Sequence, residues 1–271
     1  MNNFTEYNNP DKKLQAVSAA GYESNITFLG TGTSTGVPQL GCNCKTCCST
    51  DPRDKRLRCS ALITVQGKRF LIDAGPDLRQ QLITNKIFHI DGILLTHEHY
   101  DHVGGLDDVR PLGEVKIYAE RKVLNAIQRN MPYCFGKYKN PGVPSLDLYE
   151  IDTGTFGAEG VKITPVRIMH ARLPILGFRI GDIAYLTDVK TIPETEFEKL
   201  KGLKILVVNA LRKEEHFSHL SVDEAIRIAR KINADSSYFT HASHHLPVQS
   251  EIEKELPQNI HFAYDNLSIN F

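Results

Sequence analysis

Short apolar runs separated by polar turns dominate the chain and predict strands. Residues 26–29 form one such run, which stops at Gly30. Residues 61–65 and 69–72 flank Gln66-Gly67-Lys68, the pattern of a hairpin. Further strand-like runs occupy 92–95, 116–118, 162–168, 176–180, 183–186, 205–208 and 238–240. Ile93-Leu94-Leu95 and Ile205-Leu206-Val207-Val208 are apolar at every position, which predicts strands covered on both faces. Helical spacing interrupts them. Over 120–131, Val123, Ala126 and Ile127 share one face. Over 221–232, Val222, Ala225, Ile226 and Ala229 make an apolar stripe behind the capping pair Ser221 and Glu224. Pro193 suits the first turn of a helix running to about residue 201. The pattern predicts two sheets with helices outside them. Residues 1–24 are polar, Asn-rich and aperiodic, as expected of a mobile extension ahead of one compact domain over 25–271.

Composition narrows the class. Of 271 residues, 41% are hydrophobic and 24% charged, the mixture of an ordinary globular protein rather than of a disordered tail or coiled coil. Lys plus Arg and Asp plus Glu are 32 each, which argues against a general nucleic-acid coat or a polybasic membrane binder. No run of 18 apolar residues predicts a membrane span, and the first residues lack the pattern of a secretory signal, so a cytoplasmic location is expected. Four of six cysteines, Cys42, Cys44, Cys47 and Cys48, crowd into seven positions. Disulfides between such near neighbours are strained, and a thiolate metal site is the better reading.

The densest chemistry follows an apolar strand: Thr96-His97-Glu98-His99-Tyr100-Asp101-His102, ahead of Gly104-Gly105. His97 and His99 are two apart and point the same way in extended chain. Asp101 and His102 fall at the following turn, aimed at a second position. Imidazole and carboxylate together suit Zn, Fe or Mn, so one segment supplies half of two adjacent metal sites. A solvated loop with incidental histidines accounts poorly for this pattern.

These residues resemble the H-x-H-x-D-H signature of the metallo-β-lactamase superfamily, which implies an αββα sandwich with a dinuclear metal site at one edge of its sheets. By the same resemblance His97, His99 and His170 hold one ion, Asp101, His102 and His241 the other, and Asp188 bridges them. Asp73, in Leu71-Ile72-Asp73-Ala74-Gly75, matches a further motif; it either orients ligands or is a plain strand-end turn residue. Manganese and zinc both fit the mixed donor set.

Three features narrow the branch. Gly30-Thr31-Gly32-Thr33-Ser34-Thr35-Gly36 suits an anion cradle or a tight turn. Cys42-x-Cys44-x-x-Cys47, with His244 three positions beyond His241, resembles the structural zinc site of the PhnP family of phosphoribosyl cyclic phosphodiesterases. Cys48 could replace Cys47 there, and related cofactor-biosynthesis proteins carry a similar loop. His219-Leu220-Ser221 opens the capped helix and resembles an element of phosphodiesterases and ribonuclease Z, implying a substrate-contacting or general-acid histidine. The resemblance implies two catalytic ions (Mn or Zn), one structural Zn, a small phosphodiester substrate and a homodimer. A tRNA 3′-processing endonuclease and a non-catalytic cofactor-handling protein are the alternatives. His216, His245, His89 and His261 read as surface residues, and Arg53, Lys55, Arg56 and Arg58 as a solvated basic face or a phosphate contact.

Overall fold

The structure is a computed structural model that describes residues 24–136 and 142–271. The expected mobile extension therefore lies outside the described residues except for Ser24. Two seven-stranded sheets face each other. The first holds β1 (Asn25–Gly30), β2 (Ser60–Val65), β3 (Lys68–Ile72), β4 (Gly92–Leu94), β5 (Glu114–Ala119), β6 (Ser145–Glu150) and β14 (Ser268–Asn270), in the order β14-β1-β2-β3-β4-β5-β6. The second holds β7 (Phe156–Ala158), β8 (Val161–His170), β9 (Leu173–Ile180), β10 (Ile183–Leu186), β11 (Ile205–Asn209), β12 (Ser236–Thr240) and β13 (Ile260–Phe262), in the order β13-β12-β11-β10-β9-β8-β7.

Three apolar layers hold the sandwich together. Between the sheets, Phe28, Ile63, Phe70 and Ile72 pack with Phe178, Ile180, Tyr185 and Val207. Outside the first sheet, Leu71, Ile93 and Ile117 meet helix α2 (Leu78–Thr84) and helix α4 (Arg121–Asn130) through Leu78, Leu82, Val123 and Ile127. Outside the second, Leu186, Leu206 and Val208 meet helix α5 (Val222–Ile232) through Val222, Ala225 and Ala229. Successive residues of β10 and β11 feed opposite layers, because side chains alternate along a strand. That alternation is why residues 183–186 and 205–208 are apolar at every position. The result is the αββα sandwich.

Some elements differ from expectation. Residues 194–200 form 3₁₀ turns rather than an α-helix, with Pro193 extended ahead of them. Only Phe197 and Leu200 turn inward, three apart, and Lys199–Glu196 and Lys201–Glu198 pair at the same spacing, which matches three residues per turn. Strands β6, β7, β13 and β14 and helix α2 have no clear counterpart in the sequence pattern; β7, β13 and β14 are only three residues long. The two remaining one-turn helices near the site are α1 (Lys45–Cys48) and α3 (Tyr100–Val103).

Helix α5 carries the expected capping box: Ser221 Oγ accepts from the Glu224 amide, and Glu224 accepts from the Ser221 amide at 2.8 Å. Such a cap is worth about 1 kcal/mol and fixes where the chain leaves the preceding loop.

Candidate metal centre

The sheets bring their strand ends to one edge. Asp73 follows β3, Thr96 and His97 follow β4, His170 ends β8, Asp188 follows β10 and His241 follows β12. Strands β3, β4 and β5 run parallel, as do β10, β11 and β12, so their carboxyl ends open on the same side. Asp73, Asp188 and His241 all leave their strands with φ near +60°, a left-handed turn that aims each side chain along the edge. The backbone is tight here, and a Cβ on Gly75 would collide with the Asp101 carbonyl.

Asp73 is the anchor of the site. It is 1% exposed. Its Oδ2 accepts from His102 Nδ1 at 2.7 Å and from Thr96 Oγ1 at 2.9 Å, and its Oδ1 accepts from the Thr96 amide. With the Thr96 hydroxyl proton given to Asp73, His97 Nδ1 donates to Thr96 Oγ1 at 2.9 Å. In the neutral rings one carboxylate thus sets both tautomers and leaves Nε2 of His97 and His102 carrying a lone pair. His170 Nδ1 faces the carbonyls of Asp188 and Ser218, each at 3.1 Å, which leaves its Nε2 available as well.

The donor atoms converge without satisfying one another. His102 Nε2 lies 3.2 Å from both Asp101 Oδ2 and Asp188 Oδ2, and His241 Nε2 lies 3.3 Å from Asp188 Oδ1. Yet His102 Nε2, His219 Nδ1 and both His241 nitrogens are buried without a hydrogen-bond partner. Buried polar atoms left unpaired are costly, and a cation at their meeting point removes that cost. The electrostatics agree. Burial works against charge on Asp188, but the His241 and His102 rings hold its carboxyl well below the usual range. Burial likewise opposes charge on His102, yet Asp188 and Asp73 pull its pKa well above the ordinary value. A pocket that draws a proton this strongly also attracts a divalent ion. Burial and then His241 push His219 down to about 3.

Three overlapping groups of donor atoms fit a metal ion: His97, His102 and Asp188; Asp101, His102 and His241; and His170, Asp188 and His219. Asp188 lies in two of them. His99 lies in none, although its Nδ1 is 3.0 Å from His97 Nε2 and its ring 5.2 Å from that of His170.

A second cluster lies in the cysteine loop. Cys42, Cys44, Cys47 and His244 come together, with His244 Nδ1 3.3 Å from Cys42 Sγ and 3.6 Å from Cys44 Sγ. The Cys47 amide and His244 lower the Cys44 thiol to about 6, while burial raises Cys47 to about 11. Neighbouring thiolates repel one another, and a cation at their meeting point lets more of them ionise. Cys47 is buried in the cluster; Cys48 is exposed and outside it.

A family model described as the beta-lactamase superfamily domain matches residues 68–242. A solved diphosphatase of the PhnP family is 39% identical, covers 92% of this chain and 98% of its own, and superposes with a TM-score of 0.87. The chain belongs to the beta-lactamase superfamily as a PhnP-like member. An octanoyltransferase of Porphyromonas gingivalis is 47% identical over 246 residues, which is 89% of this chain and 50% of that protein. The chain thus spans about half the length of that relative, whose name describes the longer protein. Zn²⁺-bound PqqB of Methylobacterium extorquens, at 20% identity and a TM-score of 0.76, shares the fold. The chain has the metallo-β-lactamase fold.

The glycine-rich loop is no open anion cradle: the free sides of Gly30 and Gly32 face the backbone of residues 56–58, with Arg56 O 2.9 Å from a Cβ placed on Gly32. The basic run is only partly a solvated face: Lys55 is exposed, but Arg56 turns inward. Arg56 is 6% exposed and donates to Thr31 Oγ1, Ala263 O and Gln249 Oε1. Arg53 pairs with Asp51, Lys55 donates to Cys47 O, and Arg58 pairs with Asp77. His89 faces Asp91, His261 faces Glu253 and the His245 ring lies tilted against that of His244. His216 is half-buried, its ring 5.3 Å from that of His219.

Sequence reasoning passed over three threonines that precede site residues, Thr96, Thr187 and Thr240, all fully buried. Thr187 donates to Asp188 Oδ2 at 2.7 Å, and Thr240 lies 3.3 Å from Cys59 Sγ, which also meets Tyr185 Oη at 3.0 Å. The recurrence of Thr-His and Thr-Asp just after apolar strands was the available signal. Among the described residues, no helix is long and apolar enough to cross a membrane.

Proposed function

We propose that this chain is a metal-dependent phosphoesterase that hydrolyses a small diester of phosphate or diphosphate. His97, His99 and His170 would hold one divalent ion, Asp101, His102 and His241 a second, and Asp188 would bridge them; manganese or zinc suits the donor set. The observation that carries this reading is the meeting of unpartnered buried His102 and His241 nitrogens with the Asp101 and Asp188 carboxylates. Cys42, Cys44, Cys47 and His244 would hold a separate zinc that braces the loop. The PhnP-family diphosphatase supports phosphorus as the atom attacked and adds the diphosphate linkage to the phosphodiester.

When bound, a pair of divalent ions acidifies a water and offsets negative charge on a phosphoryl group. The chain's own residues do the rest. Asp73 holds the His97 and His102 rings with Nε2 inward. The carbonyls of Asp188 and Ser218 hold His170 in the same sense. His219 lies over the site, its ring 4.7 Å from that of His170 and 4.8 Å from that of His241, placed to contact the leaving oxygen.

The test is a screen of cyclic phosphodiesters, linear phosphodiesters and dinucleoside diphosphates with Mn²⁺ and Zn²⁺ supplied in turn. Turnover of one class is expected, and Asp101→Ala should remove most of it from a folded protein. Wild-type activity in that variant overturns the two-ion assignment, and cleavage of a tRNA precursor alone would move the reading to an endonuclease.

A further inference from the structure

The loop 212–219, between β11 and α5, brings a hydrogen-bond donor, a cation and an exposed ring to the rim of the site. Its base is pinned: Leu211 N donates to Leu220 O, Val222 N to Arg212 O, and Leu220 N to Val189 O. Its far side is tied down where Lys213 pairs with Glu255 at 2.6 Å. The loop is therefore a positioned arm.

Its side chains are arranged in sequence outward from the candidate metal centre. The rings of His170 and His219 are 4.7 Å apart, those of His219 and His216 5.3 Å, and those of His216 and Phe217 4.7 Å. The His216 ring has a fixed tautomer. The Ser218 amide lies 3.3 Å from Nδ1, and the Ser218 hydroxyl lies 3.2 Å from it. An amide can only donate, so Nδ1 accepts and Nε2 carries the proton. The same Ser218 faces His170 with its carbonyl, which ties the arm to a proposed ligand.

Burial, and after it the cations Arg212 and Lys190, disfavour a charge on His216. Lys190 is neutralised by Glu224 at 2.8 Å. Arg212 forms no ion pair among the described residues; its Nη2 donates to Glu215 O, and its Nε is buried with no partner. An unpaired guanidinium with a buried orphan N–H, beside a histidine that presents N–H, is a place for an anion. Just outside it, Phe217 is 77% exposed. A large ring held in water on a pinned loop gains from a planar partner.

We infer that this loop reads the half of the substrate that is not attacked: Arg212 and His216 bind a second phosphate, and Phe217 stacks a planar ring attached to it. The substrate class is then a diphosphate diester that carries a nucleoside or a similar aromatic group. This rests on the phosphoesterase reading for the position of the attacked phosphorus.

The test uses methylene-bridged, non-hydrolysable analogues of diadenosyl diphosphate and of diethyl diphosphate, with binding followed by calorimetry on the metal-loaded protein. The wild type should prefer the diadenosyl analogue. Phe217→Ala should shrink that preference by about fivefold to a hundredfold, the range of base–aromatic stacking, and Phe217→Trp should restore it. Arg212→Gln and His216→Ala should weaken both analogues. A preference unchanged in Phe217→Ala, or no binding of either analogue by the wild type, overturns the inference. Turnover is scored separately with the oxygen-bridged compounds. Selective binding without turnover would leave the loop assignment standing and remove the phosphoesterase reading. Turnover without selectivity would do the reverse.

Discussion

Asp73 touches two of the proposed ligands at once, directly through His102 and through Thr96 to His97. A residue with that reach matters for metal affinity without being a ligand. Asp73→Asn keeps the shape but weakens the acceptor facing His102, and metal affinity is expected to fall about 10–100-fold. Equilibrium dialysis against Zn²⁺ checks this, and wild-type affinity would return Asp73 to a plain turn residue. His219 poses the opposite question. It approaches Asp188 to 3.6 Å and joins His170 and Asp188 in a possible ligand group. Held outside both proposed ligand sets, His219→Ala should keep both catalytic ions. It should slow an alkyl phosphodiester by roughly 10²–10⁴-fold and a nitrophenyl one much less, because nitrophenolate needs little help to leave. Loss of an ion would make His219 a ligand, and equal loss on both substrates, mainly in KM, would make it a phosphate contact.

The cysteine loop depends on an element that local preference alone would not support. Helix α1 has only four residues and takes its N-terminal cap from Cys44, whose sulfur accepts the Cys47 amide. Short helices are marginal by themselves. His244, some 200 positions away in sequence, closes the cluster, and Thr46 Oγ1 bonds Leu246 O at 2.7 Å beside it. Cys44→Ser is expected to lose one metal ion per chain, counted by elemental analysis, while the catalytic pair remains. A full metal count in that variant would remove the second site. Protease cleavage within residues 41–48 should also become faster, because a metal that clamps a loop stabilises it locally.

Across the whole molecule, Arg56 joins parts that the sheets alone leave apart. Its guanidinium reaches Thr31 after β1, Ala263 after β13 and Gln249 on helix α6 (Gln249–Ile252). Thr31 in turn donates to Asp265, whose Oδ2 accepts the Leu57 amide at 2.6 Å. Burial lifts the Asp265 carboxyl to about 6 even with these donors around it. Arg56→Ala strips the cation from this buried network and leaves Thr31, Gln249 and the Ala263 carbonyl short of partners. The expected loss is about 3–5 kcal/mol of unfolding free energy, the size seen when one partner of a buried charged network is removed. Urea unfolding measures it, and a loss below about 1 kcal/mol would class Arg56 with surface ion pairs.

Much of this was legible in the chain itself. Strands apolar at every position required cover on both faces, and residues 93–95 of and after β4 and 205–208 of β11 received it. The Ser221–Glu224 pair marked the start of α5 because a capping box is a local contact with a local spacing. The crowding of His97, His99, Asp101 and His102 pointed to a candidate metal site because few other uses justify those types side by side. What the sequence could not carry were contacts between distant segments. Tertiary packing turned Arg56 inward from what reads as a basic surface run, and filled the space beside Gly32 with other backbone. It kept Cys47 in the sulfur cluster and left Cys48 outside. It seated His216 against His219 through a Ser218 amide that no pattern marks. A periodicity reports which face of an element is buried; which neighbour arrives on that face is decided only when the two sheets close and their strand ends meet.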